Sequence, residues 1–358
     1  MKLRVGVLTS GGDCQSLNPT MRGFAKALYR SNADVQILGF SEGYRGLMYN
    51  EFREMKPADF SGLLTMGGTI LGTSRQSFKL MRQPDEYGND KVALMKETYK
   101  KNRLDALVVL GGNGSQKTAN LLSEEGLNVI GLPKTIDNDL WGTDMTFGFH
   151  SALDIATQAI DCIHTTAASH RRVFIVEIMG HKVGWLTLHA GIAGGADVIL
   201  IPEIPYDIDR VCDTIRRRSE QDNKFSILAV AEGAKSKEEM QLSKKEYKKK
   251  LDERRYPSVS YEIAAQIESR LGAEVRVTVP GHMQRGGSPS AFDRVLATRV
   301  GARGAQAVLN REYGVLVAYA GDELKTVKLS NIAGKLKYVP VDSPIIDEAK
   351  SVGIGFGD

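Results

Sequence analysis

No stretch of this sequence approaches the ~20 consecutive apolar residues that a membrane-spanning helix needs. Met1-Lys2-Leu3-Arg4 runs straight into a short apolar alternation, with no leader-like core. A cytoplasmic location without a membrane partner is the expectation. Cysteine is scarce: Cys14, Cys162 and Cys212 stand far apart with no C-x-x-C pair, which argues against a disulfide framework and suits a reducing compartment. The six histidines, His150, His164, His170, His181, His189 and His282, lack paired ligand spacing, so structural zinc is not expected. Proline, at 11 residues, is too sparse for a long disordered or collagen-like region. Charge of one sign is missing too, since 47 Lys and Arg face 43 Asp and Glu for a net +4. So mild an excess points to no nucleic-acid partner. Neither a Walker-A loop nor G-x-G-x-x-G follows the first strand. The second absence, with no acidic residue suitably placed beyond it, counts against an NAD(P)-binding oxidoreductase.

What is present is an ordinary globular composition, 42% hydrophobic and 25% charged, in 358 residues. Single cores stop growing at about 250–300 residues, so two cores of Rossmann-like size are expected, and two lobes imply a cleft between them. Residues 3–8 read as a buried strand that ends in the turn Ser10-Gly11-Gly12-Asp13 before a helix over about 16–30. Further strands are expected at 35–40, 106–110, 128–132, 173–178, 198–201, 225–231, 275–279 and 315–319. Ser151 and Asp154 resemble a capping-box start for a helix whose apolar face is Leu153, Ala156, Ile160 and Ile163. This alternation predicts an α/β fold: two Rossmann-like lobes, mostly parallel sheets with helices on both faces, and ligands beyond the carboxyl ends of the strands. The charge-dense run 235–255 reads as a solvated helix face.

Two glycine turns, Gly11-Gly12 and Gly111-Gly112, close strands just before helices, an arrangement in which backbone amides and a helix start can cradle phosphate. One such loop alone would be weak, because neither fits a named phosphate motif. Asp137 and Asp139 lie two apart in the loop after another strand. There a carboxylate can accept a hydroxyl proton or face a Mg²⁺ held by phosphates, although a pair of Asx turns is the plainer reading of such a motif by itself. Arg75, Arg172, Arg276 and Arg285 sit near predicted strand ends, where guanidinium groups can neutralise a transferring phosphoryl.

These segments resemble the phosphofructokinase A-type family over nearly the whole chain. The matching runs are Gly11-Gly12-Asp13 with Asn18, Gly43-Tyr44, Gly68 to Arg75 (GTILGTSR), Gly111 to Ser115 (GGNGS) and Pro133 to Asp139 (PKTIDND). They continue with Ser169 to Arg172, Glu177 to Gly180, Ala231-Glu232-Gly233 and Gly281 to Pro289 (GHMQRGGSP). The resemblance implies transfer of a phosphoryl group to the 1-hydroxyl of fructose 6-phosphate, with Asp137 as the base and Thr135 beside it. Met179, Gly180, His181, Glu232, His282 and Arg285 then belong to the sugar phosphate site. Arg172 and Arg276 match arginines that reach the sugar phosphate of a neighbouring subunit, so a homodimer or homotetramer is implied. Gly11, Tyr44, Arg75, Gly112, Asn113, Gly114 and Ser115 match the ATP site, and Asn113 and Asp139 the Mg²⁺ site. Residues 1–148 with about 284–334 would form the donor lobe, and 149–283 with about 335–358 the sugar lobe.

Within the family the donor is read from two positions. Gly114 stands where pyrophosphate users carry Asp, which would press a carboxylate on the nucleotide α-phosphate; Lys134 is common among pyrophosphate users. The combination is similar to the mixed-substrate subgroup and favours ATP, with pyrophosphate as the alternative. Three departures keep a second alternative open, a catalytically weak regulatory paralogue. Asn113 replaces a frequent acidic residue near the metal, a burden that Asp13, Asp137 and Asp139 could share. His181 replaces an arginine, with Lys182 beside it. Gln15-Ser16 replaces Pro-Gly.

Overall fold

The computed structural model describes residues 2–221 and 225–358. The chain divides into two compact units, Met1–Ser151 with Arg285–Lys337, and Ala152–Gln284 with Tyr338–Asp358. Eleven strands are found among the described residues. In chain order these are β1 (Leu3–Ser10), β2 (Val35–Phe40), β3 (Phe52–Met55), β4 (Ala106–Gly111), β5 (Val129–Pro133), β6 (Val173–Ile178), β7 (Val198–Leu200), β8 (Ser226–Ala231), β9 (Val275–Thr278), β10 (Val315–Ala320) and β11 (Glu323–Lys328).

In the first unit they form a seven-stranded sheet in the order β11-β10-β5-β4-β1-β2-β3. The five inner strands are parallel. Their sequences explain it: Ala106–Gly111 and Val129–Pro133 are continuous apolar runs buried at every position, as strands covered on both faces must be. The two outer strands are antiparallel, β3 on β2 and β11 on β10. Both escape the sequence reading. Glu323–Lys328 (ELKTVK) has only two isolated apolar residues among charged and polar ones and is nowhere fully buried, so it carries no apolar run, and the short, charged β3 lies half exposed at the other edge.

The second unit holds a parallel four-stranded sheet, β7-β8-β6-β9, above a core that includes Ile175, Leu200, Leu228, Val230, Ile263 and Ile267. The expected strands recur here with ends moved by a residue or so, an ordinary uncertainty of element boundaries. Run 235–255 becomes two short helices, Lys237–Gln241 and Lys244–Asp252, each opened by a Ser/Glu capping box. Most of its charges face solvent as expected, but Glu239 is buried beneath Lys250 and Arg254.

One local expectation is corrected. The helix after the Asp137 loop begins at Phe149, not at Ser151. The Ser151 hydroxyl and amide instead donate to the buried Asp293 carboxylate, which also accepts from the Gly148 amide (3.1 Å). That carboxylate thus occupies the helix start, where backbone donors lack partners.

Candidate active site

In the first unit the strand register decides the site. Ser10 on β1 is level with Gly111 on β4, and Gly111 with Pro133 on β5. Three loops therefore leave the carboxyl edge of the sheet side by side: 11–13, 112–115 and 134–139. The first is held by its carbonyls. Thr73 Oγ1 donates to Gly11 O (2.7 Å), the Lys134 ammonium to Gly12 O, and Arg285 Nη1 to Asp13 O (2.8 Å). A trans peptide points its N–H opposite its C=O, so clamping three successive carbonyls turns the following amides, those of Gly12, Asp13 and Cys14, the other way. Gly12 must be glycine for this, because a Cβ there would lie 2.6 Å from Arg285 Nη1. Arg75 follows Ser74, whose carbonyl accepts from the Gly11 amide (3.1 Å), and is thereby brought beside the same turn.

The second loop opens the helix Asn113–Glu124, with the extended Gly112 at its N-cap and no side chain capping it. First-turn amides have no partner within a helix, and the dipole there favours an anion. Ser115 Oγ bonds Ser10 Oγ (2.9 Å), tying the two glycine loops together, while its carbonyl accepts from Tyr44 Oη (2.7 Å). A Cβ on Gly114 would meet nothing within 4 Å, so the space in front of it is open.

On the third loop Asn138 adopts the left-handed region (φ 53°), and its amide nitrogen holds Asp144 O (3.2 Å). The Asp137 amide donates to Thr135 Oγ1 (3.0 Å), and Thr135 O accepts from Thr146 Oγ1 (2.8 Å). Asp139 is 9% exposed, and its Oδ1 has no hydrogen-bond partner. Burial first, and the Asp137 charge second, push its pKa up to about 7. Burial lowers the pKa of the Lys134 ammonium, and the nearby Arg285 guanidinium lowers it further.

In the second unit, Ile178 on β6 is level with Ala231 on β8, so Met179, Gly180 and His181 leave the sheet next to Glu232. Glu232 Oε1 accepts from the amides of Gly180 (3.2 Å) and His181 (2.8 Å), and the Met179 amide donates to the buried Gln284 Oε1 (3.2 Å). Arg172 and Arg276 stand elsewhere. Both bind the Glu274 carboxylate at the amino end of the same sheet, Arg172 Nε at 2.5 Å. At about 3.3 Å per residue, the strand β6 separates Arg172 from Met179 by roughly 20 Å.

The residues in these loops follow a known pattern along the chain. It matches the family described as Phosphofructokinase over residues 4–308. The chain belongs to the phosphofructokinase family. The ATP-dependent 6-phosphofructokinase of Spirochaeta thermophila is 54% identical over 360 residues, 99% of this chain and 97% of that one. The enzyme of the same name from Propionibacterium freudenreichii subsp. shermanii is 47% identical over 376 residues, with both chains fully covered. The crystal structure of Pichia pastoris phosphofructokinase in the T-state superimposes with a TM-score of 0.78 at 32% identity, covering 93% of this chain. This chain spans about a third of that longer protein, 35%.

Set against the family's residues, the fold brings Gly11, Arg75, Gly112, Asn113, Gly114, Ser115, Thr135, Asp137 and Asp139 onto one sheet edge. Met179, Gly180, His181 and Glu232 gather on another, with His282 in the short Gly281–Arg285 turn of 3-10 helix that also carries Gln284. Tyr44 is 1% exposed within the core, and its hydroxyl supports the Ser115 carbonyl of the glycine loop. Arg285 directly follows Gln284, and its Nη1 donates to the Asp13 carbonyl. Glu274, Asp293, Lys335 and Lys337 escaped the sequence reading altogether. Asp293 and the 335–337 segment meet partners remote in the chain, 222 positions away for the Asn113–Lys335 bond, and no local pattern announces such a contact.

Proposed function

We propose that this chain is an ATP-dependent 6-phosphofructokinase, with the first unit binding the donor and the second the sugar phosphate. It transfers the γ-phosphoryl group of ATP to the 1-hydroxyl of fructose 6-phosphate: the sugar oxygen bonds to phosphorus, the bond to the ADP oxygen breaks, and Asp137 takes the hydroxyl proton. The observation that carries this reading is the level row Ser10, Gly111, Pro133, which sets two amide-bearing glycine loops beside the Asp137 loop. Amides fixed in place by clamped carbonyls need no reorganisation when charge develops on phosphoryl oxygens, which is where preorganised donors are most effective.

Mg²⁺ fits the donor set. Asp139 Oδ1 is buried without a partner and Asp137 is two residues away, and Mg²⁺ is commonly held by one or two carboxylates together with substrate phosphates. Asp139 would hold it, with Asn113 or Asp13 through water; when bound, the ion neutralises phosphate charge. The open space before Gly114 supports ATP over pyrophosphate, and with Lys134 it supports assignment to the mixed-substrate subgroup. The Lys134 ammonium donates to Gly12 O.

Glu232 orients the Gly180 and His181 amides, while Met179, Gly180, His181, Glu232 and His282 receive the sugar. The distance of Arg172 and Arg276 from this set supports their acting on a neighbouring copy, in a cytoplasmic homodimer or homotetramer.

Donor-resolved kinetics test the reading. Asp137→Ser should lower kcat by about 10²–10⁴, the usual worth of a positioned base, with KM values little changed. In the same assay Gly114→Asp should abolish most ATP use. Full activity in the first variant overturns the role of Asp137, and unchanged ATP kinetics in the second overturns the donor assignment.

A further inference from the structure

One short segment touches both halves of the donor site in the first unit. Residues 335–337 follow the helix Leu329–Ile332, whose Leu329 and Ile332 are packed in the core cluster. The Lys335 carbonyl accepts from Asn113 Nδ2 at 2.6 Å, at the first residue of the glycine-loop helix. Leu336 forms an antiparallel bridge with Leu140. The Lys337 amide donates to Asp139 O (2.9 Å), and its ammonium donates to Thr143 O (2.9 Å) and Asp144 O (2.8 Å). An anchored extended segment thus grips the helix start on one side and the whole descent of the aspartate loop, 139–144, on the other.

We propose that residues 335–337 are a strut fixing the spacing between the glycine-loop helix and the aspartate loop, and that Asn113 and Lys337 are positioning residues for phosphoryl transfer that act through it. The proposal rests on the phosphofructokinase reading of these loops. It gives the amide at position 113 a reason. An amide nitrogen can donate to Lys335 O, whereas a carboxylate there accepts only and would set like partial charges against each other. The nitrogen is committed to the strut, which fixes the side-chain orientation. Charge at 113 is exchanged for geometry, and in-line transfer is sensitive to geometry, since misplacement by about 1 Å can cost 10²-fold.

The test uses the full chain with Asn113→Asp, Asn113→Ala, Lys337→Met, the Asn113→Ala/Lys337→Met double variant and Lys337→Arg. Steady-state kinetics are measured against ATP, fructose 6-phosphate and Mg²⁺, and amide hydrogen exchange is followed over 137–144. Each of Asn113→Asp, Asn113→Ala and Lys337→Met should lower kcat about tenfold, the scale of one lost orienting hydrogen bond, with KM for fructose 6-phosphate unchanged. The double variant should be no slower than the slower single, because both act through one element. Lys337→Arg, which keeps donors, should restore most of kcat. Exchange over 137–144 should quicken in the three damaged variants. If Asn113→Asp raises kcat or lowers the Mg²⁺ requirement, the hydrogen bond to the Lys335 carbonyl is not what position 113 contributes, and the strut is wrong. Multiplicative losses in the double variant, or unchanged exchange, overturn it equally. Should the wild type fail to use ATP, the functional reading falls alone, because hydrogen exchange still decides whether the strut orders the loop.

Discussion

Asp139 is the residue at which the fold works against itself. Its carboxylate is buried beside Asp137, and its pKa rises to about 7, chiefly from burial. A raised folded-state value means that the stability tied to this group is fully present below the unfolded carboxylate range and is lost as pH climbs through about 7. Asp139→Asn, free of that charge, should therefore gain in melting temperature over the wild type on going from pH 5 to pH 8, without ligands or Mg²⁺. An equal difference at both values would show that the charge carries no such cost. A cation bound there reverses the sign of the environment, which is why a poorly solvated carboxylate is useful at a metal position. The pair Asp137 and Asp139 was legible in the sequence as chemistry-bearing. The burial that separates Asp139 from an ordinary surface carboxylate was not, since it depends on residues such as Lys337 brought from far along the chain.

At the scale of the element, the site is a strand, a glycine turn and a helix, used twice. The apolar runs of β1, β4 and β5 and the glycines that end them were readable because parallel strands buried on both faces leave an unbroken signature. How the first turn is held was not readable. The Lys134 ammonium donates to Gly12 O, a contact that its place before the aspartate loop does not announce. Lys134→Met removes that clamp and should raise KM for ATP about tenfold, a loss near 1.4 kcal/mol in binding, while KM for fructose 6-phosphate stays put. Stability should change little, because the lost charge-assisted bond is offset by no longer burying an ammonium. Unaltered ATP kinetics would mean the turn holds its shape without it. The outer strands β3 and β11 show the opposite case, where charged, half-exposed edges hide a sheet from any search for apolar runs.

For the whole molecule, the second unit's candidate site residues fall at opposite ends of one sheet, with Arg172 and Arg276 on Glu274 and the Met179 to Glu232 group at the carboxyl end. If those arginines serve a neighbouring copy, Arg172→Ala and Asp137→Ser subunits, each nearly inactive alone, should complement when dissociated and reassembled together. Random pairing into dimers predicts recovery of about a quarter of wild-type activity, since half the dimers are mixed and each mixed dimer holds one undamaged site. No recovery would place both residues in the site of a single chain.

Local chemistry is written in the order of residues, so the α/β class, the parallel strands, the glycine turns and the aspartate pair are all legible in the sequence by itself. Those features depend on near neighbours: burial on two faces, a turn that needs glycine, a helix start. The clamp on the first turn, the support of Ser115 by Tyr44, the strut at 335–337 and the split between Arg172 and Met179 depend on segments remote in the chain meeting in space. Packing alone brings such partners together, and it does so through backbone carbonyls that every residue type carries and that no sequence pattern can mark.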